Sequence, residues 1–191
     1  MRTVFYRASG AFIPLLLLCS AGLATTIAKL SFEDMTDTSE VIATGKVTRS
    51  WTAWDDAHRH IWTHYEIAVS DTSKGKVGAT VEIAEPGGAV AGEGEMIAGT
   101  VEYRGGENVL VFLQRMPNGY LRTAGWGQGK FVVDQAGRLR GDVSLGEVAV
   151  IDVKTGARTA RTSVKLEGVT LSDARAAILN RIRNRAAGRV Q

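Results

Sequence analysis

The sequence predicts a mainly β protein, a small closed or partly open antiparallel barrel with a short N-terminal helix and a C-terminal helix, and three observations carry that reading. The first is Val109-Leu110-Val111-Phe112-Leu113, entered by Gly105-Gly106 and left by Pro117-Asn118-Gly119. This run is too short for a core helix and rich in β-branched and aromatic residues. It lacks alternation, so it reads as the most buried strand, covered on both faces. The second is the period-two recurrence of Ile61, Thr63, Tyr65, Ile67 and Val69 after an earlier alternating segment from Val41 to Trp51. The third is composition: 22 glycines beside 45% apolar, 23% charged and 7% aromatic residues point to tight turns between short strands.

The chain divides into residues 1–24, a secretory signal; 25–140, the barrel; and 141–191, an additional hairpin and a basic C-terminal helix packed on the barrel. In the signal, Arg2 and Arg7 form a basic region, Ala11 to Leu18 an apolar one, and Gly22-Leu23-Ala24 a small-residue cleavage site. The apolar run is short of the roughly 20 residues that a membrane-spanning helix needs, and no later stretch reaches that length. The expected location is therefore periplasmic or secreted. Cys19 is the only cysteine and falls within the signal. Leu18 occupies a position where lipid anchoring needs a small residue, so stability is expected to rest on core burial, without a lipid anchor or disulfides.

The formal net charge of +3 hides an asymmetry: Arg2 and Arg7 carry +2, and five arginines against Asp173 give +4 over 171–191. Residues 25–170 are left at −3. A mildly acidic barrel argues against nucleic acid as a partner. The basic tail could make weak contact with an anionic lipid or cell-wall surface, or be simply a solvated helix end.

The elements follow in order. Leu30 to Thr38 reads as a short helix capped by Ser31 and Asp34, with Phe32 and Met35 on one face, plugging one end of the barrel. Val41 to Trp51 forms the first strand, with a bend or bulge at Gly45. After the turn Trp54-Asp55-Asp56-Ala57, the second strand completes a long hairpin ending at Lys74-Gly75-Lys76. Thr80 to Ala84 is a third strand, stopped by Pro86-Gly87-Gly88. Ala89 to Gly99 reads as a glycine-rich loop and Thr100 to Tyr103 as a short strand. The central run turns through Pro117-Asn118-Gly119 into Tyr120 to Ala124, then Lys130 to Val133 and Arg138 to Arg140 follow. Glu147 to Val153 and Arg158 to Leu166 form one more hairpin. Thr170 to Asp173 opens a helix with Ala174, Ala177, Ile178 and Ile182 on one stripe.

In this order, Lys74-Gly75, Pro86-Gly87-Gly88 and Gly106-Glu107-Asn108-Val109-Leu110-Val111-Phe112-Leu113 make residues 30–134 resemble an uncharacterised family of secreted bacterial proteins. More distantly, a barrel with this strand order is similar to the netrin-like, OB-type module of tissue inhibitors of metalloproteinases. The resemblance implies a barrel acting by contact, inhibitor-like, with a secreted protease as one kind of partner. Those inhibitors present an N-terminal cysteine to the protease zinc; here Cys19 lies in the signal, so the implication is of fold more than of that mechanism.

His58, His60 and His64 have one parity on the second strand and are expected to share a face. His58 and His60 would lie about 7 Å apart, near enough to share a metal, whereas His64 would sit about 13 Å beyond His60. With a carboxylate from Asp55 or Asp56 the His58–His60 pair would make a zinc site and, as an alternative function, a metal-dependent hydrolase. Otherwise the imidazoles decorate a solvated face. Trp51, Trp54, Trp62 and Tyr65 gather on the same hairpin, either as cross-strand packing or as a partner-contact surface.

Gly92-Glu93-Gly94 and Gly125-Trp126-Gly127-Gln128-Gly129 lack the spacing and the following Lys-Ser/Thr of phosphate loops. Ser144 lacks the nucleophile-elbow pattern, and Glu93, Glu95, Glu102 and Glu107 form only a diffuse acidic set. The leading expectation is an exported, non-enzymatic binding module without a cofactor, acting through the Trp51–Tyr65 hairpin and the loop from Pro86 to Gly99.

Overall fold

The computed structural model describes residues 26–141, 149–159 and 165–188. The signal at 1–24, Cys19 included, and most of the 141–148 connection lie outside the described residues. In chain order the elements are β1 (Thr26–Ala28), α1 (Phe32–Thr38), β2 (Val41–Trp54), β3 (Ile61–Lys74), β4 (Thr80–Pro86), β5 (Gly88–Val90), β6 (Glu93–Glu95), β7 (Asn108–Arg115), β8 (Leu121–Thr123), β9 (Lys130–Val133), β10 (Leu139–Gly141), β11 (Ala149–Ile151), β12 (Arg158–Thr159) and α2 (Leu171–Ala187). A single 3-10 turn, Trp126–Gly129, joins β8 to β9.

The fold is mainly β and antiparallel, as the alternation predicts. One sheet runs in the order β10-β9-β7-β2-β3-β4, and β8 also pairs with β7. The central run behaves as expected, with Val109, Leu110, Val111, Phe112 and Leu113 all inaccessible to solvent. Leu110 and Phe112 face a core with Phe32 and Met35 of α1 and Ala174 and Ile178 of α2. Val109, Val111 and Leu113 face the inside of the curl, beside Val41, Tyr65, Ile67 and Ile83. Helices cover one side of β7 and the curled sheet the other, which is why its sequence does not alternate.

The β2–β3 ribbon curls because its register shifts at Ile42/Ala43, Thr44/Gly45 and Val47/Arg49. Gly45 is required there: a Cβ would stand 2.3 Å from the carbonyl oxygen of Ala68. The curl does not close into a barrel. β4 and β10 end the hydrogen-bonded order, and β4 approaches β8 without a backbone ladder among the described residues. The buried carboxylate of Glu85 spans the seam instead, accepting from Thr123 N at 2.8 Å.

Ser31 caps α1 in a reciprocal box with Asp34, as its spacing predicts. Thr170 caps α2, whose Ala174–Ile178 stripe is buried. Two element expectations are corrected and two placements are new. Thr100–Tyr103 is an irregular arch, not a strand; its Val101 and Tyr103 are tucked into the curl, while the Thr100 hydroxyl donates to Pro86 O at 2.9 Å. The glycine-rich loop contains a small hairpin, β5–β6. Of the late hairpin, residues 147–148 and 160–164 lie outside the described residues; its β11 and β12 pair antiparallel and join β1, parallel to β11, in a separate three-stranded sheet. β1 was not expected at all.

Candidate functional site

The distal β2–β3 ribbon and the β8 strand carry a continuous ladder of aromatic and cationic groups. The Arg49 guanidinium lies 4.3 Å from the centre of the Trp51 ring. Trp51 stacks on His64 with centroids 5.1 Å apart and planes 9° from parallel. Tyr120 meets His64 edge-on at 5.4 Å and Trp62 at 5.1 Å. Beyond Trp62, the Arg122 guanidinium is 5.9 Å from that ring and 4.7 Å from Trp126.

Strand parity explains the placement. Trp51 and His64 are register partners across the ribbon, and Pro86 and Ala84 are the β4 partners of Trp62 and His64. These short side chains leave room for Tyr120, at the entry to β8, to reach both rings across the seam. Burial pushes the Tyr120 hydroxyl above its ordinary value, with Asp56, Asp55 and Glu82 adding to the effect. His64 is buried, and its Nδ1 lies 2.8 Å from Glu82 Oε1.

Below the ladder, Arg122 and Glu85 form a buried ion pair. Arg122 Nε and Nη2 both donate to Glu85 Oε2, at 3.3 and 3.2 Å, while the other carboxylate oxygen takes Thr123 N. The Glu85 side chain is 0% exposed and that of Arg122 13%. Desolvation raises the Glu85 carboxyl above the ordinary 4.5, against the opposing pull of Arg122 and Thr123. Thr123 Oγ1 in turn meets the Tyr103 hydroxyl at 2.5 Å, and the Tyr103 ring lies 4.6 Å from Lys130 Nζ. Lys130, also buried, pairs with Glu107 at 3.1 Å and donates to Glu102 O.

Trp126 is displayed by unusual backbone. It and Gly125 both lie in the left-handed region, at φ 60° and 58°. A bulky residue rarely adopts this conformation, and where one does the surroundings hold it there. Gln128 supplies that hold: its side chain accepts from Leu30 N and donates to Ala28 O and Gly125 O.

The sequence-predicted residues separate. His58 is not on β3; it sits in the hairpin turn at φ 55° and stacks on Trp54 at 5.3 Å. His60 also precedes the strand and turns to Glu95, Nδ1 to Oε1 3.1 Å, whereas His64 is engaged by Trp51 and Glu82. The expectation that the three imidazoles share a face is therefore corrected, because the turn breaks strand parity before Ile61. Among the described residues no three His, Cys, Asp or Glu side chains gather as a metal site. Asp55, expected as a ligand, accepts from Arg59 N at 2.7 Å, and that bond holds its carboxyl below the usual range.

Tyr65, expected on the contact surface, is also corrected. It is 5% exposed, on the inner face of β3 against Tyr103 at 5.0 Å. Trp51, Trp54 and Trp62 are half-buried on the outside. Arg49, Tyr120, Arg122 and Trp126 were not singled out as site residues by sequence; the signal for Trp126 was a large ring among three glycines.

Compared with protein-family models, curated proteins and solved structures, the chain matches none. Among the described residues no helix is long and apolar enough to cross a membrane.

Proposed function

We propose that the protein is an exported binding module that acts by contact with a protein partner, its surface being the ladder from Arg49 to Trp126 with Trp54 at the hairpin tip. The observation that carries this reading is the unbroken succession of rings and guanidinium groups across β2, β3 and β8. Trp, Tyr and Arg supply most of the energy at protein contacts, and rings already fixed by stacking lose little freedom on binding. Export rests on the Arg2–Ala24 signal pattern. A secreted protease is the partner class that the netrin-like resemblance suggests. The finer fold reading, an OB-type curl plugged by α1, belongs to the same proposal and is supported by the three register shifts of the β2–β3 ribbon.

The test is capture from periplasmic or culture extract on the immobilised protein, repeated with Trp51→Ala and Trp54→Ala after circular dichroism confirms their fold. Retention of a discrete partner should fall about tenfold or more with either variant. Undiminished capture by both variants rules out this surface. Adding the protein to secreted metalloproteinases and following turnover tests the protease form.

A further inference from the structure

Where the ladder ends, Arg122 and Trp126 border a cleft of about 450 Å³ whose walls include Ile27, Leu30 and Met116. We infer that this cleft binds a small organic carboxylate with a compact apolar body. Of the described residues lining it, Arg122 is the only charged one. Glu85 occupies Nε and Nη2 of that guanidinium, and Nη1 has no partner among the described residues. The indole N–H of Trp126 makes no hydrogen bond among the described residues; the buried indole N–H without a partner is that of Trp62, which lies outside the cleft. Two residues with N–H donors, one of them cationic, therefore border the cleft, and among the described residues lining it there is no acid. An oxyanion complements that set, because a guanidinium held in plane by one carboxylate keeps its remaining N–H groups aimed for another.

The donors are fixed before a ligand arrives. Glu85 holds Arg122 from beneath, and the guanidinium so placed lies 4.7 Å from the centre of the Trp126 ring. Ile27, Leu30 and Met116 supply apolar wall, and the volume falls in the range that suits small molecules, about 300–1,000 Å³. This inference does not depend on the protein-contact reading, and failure of partner capture would leave it standing.

The test follows the side-chain N–H signals of Trp126 and Arg122 in ¹⁵N-labelled protein titrated with 3-phenylpropionate, with 3-phenylpropanamide and acetate as parallel arms. The carboxylate should shift both signals saturably, and the amide and acetate should bind about tenfold more weakly or worse. Arg122→Lys keeps the charge against Glu85 but loses the fork, and should weaken 3-phenylpropionate about tenfold. Ala28→Trp fills the cleft from its exposed rim without touching the ion pair, and should abolish the shifts. Equal binding of amide and carboxylate, no saturable shift at millimolar probe, unchanged affinity in Arg122→Lys, or shifts that persist in Ala28→Trp would each overturn the inference.

Discussion

Replacing Glu85 tests whether a side chain, rather than a backbone ladder, closes the seam between β4 and β8. Glu85 is wholly buried and is the ionic partner of an Arg122 side chain that is 13% exposed. Removing one member of a buried pair typically costs about 3–5 kcal/mol, because the other charge is left without compensation. Arg122 can regain some water, so Glu85→Ala belongs at about 3 kcal/mol, equivalent to a fall of roughly 6–12 °C in Tm for a chain of this size. The pair itself is not expected to beat an apolar replacement. In Glu85→Gln/Arg122→Met the amide oxygen still accepts from Thr123 N, so the double variant should lose about 2 kcal/mol less than the two single losses added together.

The pH dependence carries a definite sign. Burial raises the folded-state value of Glu85 above 4.5, so the native state holds that proton more tightly than the unfolded chain. Its contribution to stability is complete below about pH 4.5 and is lost as pH rises through the folded value. Glu85→Gln should flatten that part of the profile. Urea unfolding of wild type, Glu85→Ala, Glu85→Gln, Arg122→Met and the double variant across pH 4–8 reads all of this, with constant m-values confirming that only stability has changed. A coupling below about 0.5 kcal/mol, or a Glu85→Ala loss below about 1 kcal/mol, would refute the ionic seam.

Other expectations concern the helices, the ribbon and the imidazoles. Asp37 receives Arg181 at 2.6 Å and Arg185 at 3.3 Å, joining α1 to α2; Asp37→Ala should cost about 1–2 kcal/mol by urea unfolding after solvent screening. The Arg181 hydrogen bond holds the Asp37 carboxyl below 3.8, so this contribution is present above pH 3.8 and is lost as pH falls through the folded value. A variant profile that still parallels wild type below pH 3.8 would count against the clamp. Gly45→Ala forces a methyl group onto Ala68 O and should destabilise by about 3 kcal/mol or more in thermal melts; an unchanged melt would mean that the ribbon relaxes freely. Incubation with zinc, dialysis and elemental analysis should leave sub-stoichiometric metal, and one tightly held zinc per chain would revive the His58–His60 site.

Local signals were the readable part of this chain. Ser31 and Asp34 announce α1 through three-residue spacing, and the Ala174–Ile178 stripe announces the buried face of α2. The five apolar residues of β7 disclose a strand covered on both sides. Long-range partnerships left no such mark: Glu85 and Arg122 lie 37 residues apart, and Gln128 reaches Leu30 across 98. Thr100–Tyr103 alternates like a strand because Val101 and Tyr103 do point inward, but its backbone has no ladder to join. His58 misleads for a related reason. Parity counting assumes extended backbone, and a single positive φ at the hairpin turn ends that count.

One rim of β7 is held by β2 along Val41–Lys46, while the other is divided between β9 at Val109–Val111 and β8 at Leu113–Arg115. On that second rim this apolar, β-prone segment is sheltered only by strands that arrive after it in sequence. Until residues 121–133 have emerged and docked, an unguarded template faces outward, open to a sister molecule. Truncations ending shortly after Arg115 should therefore precipitate more readily than those that retain β9.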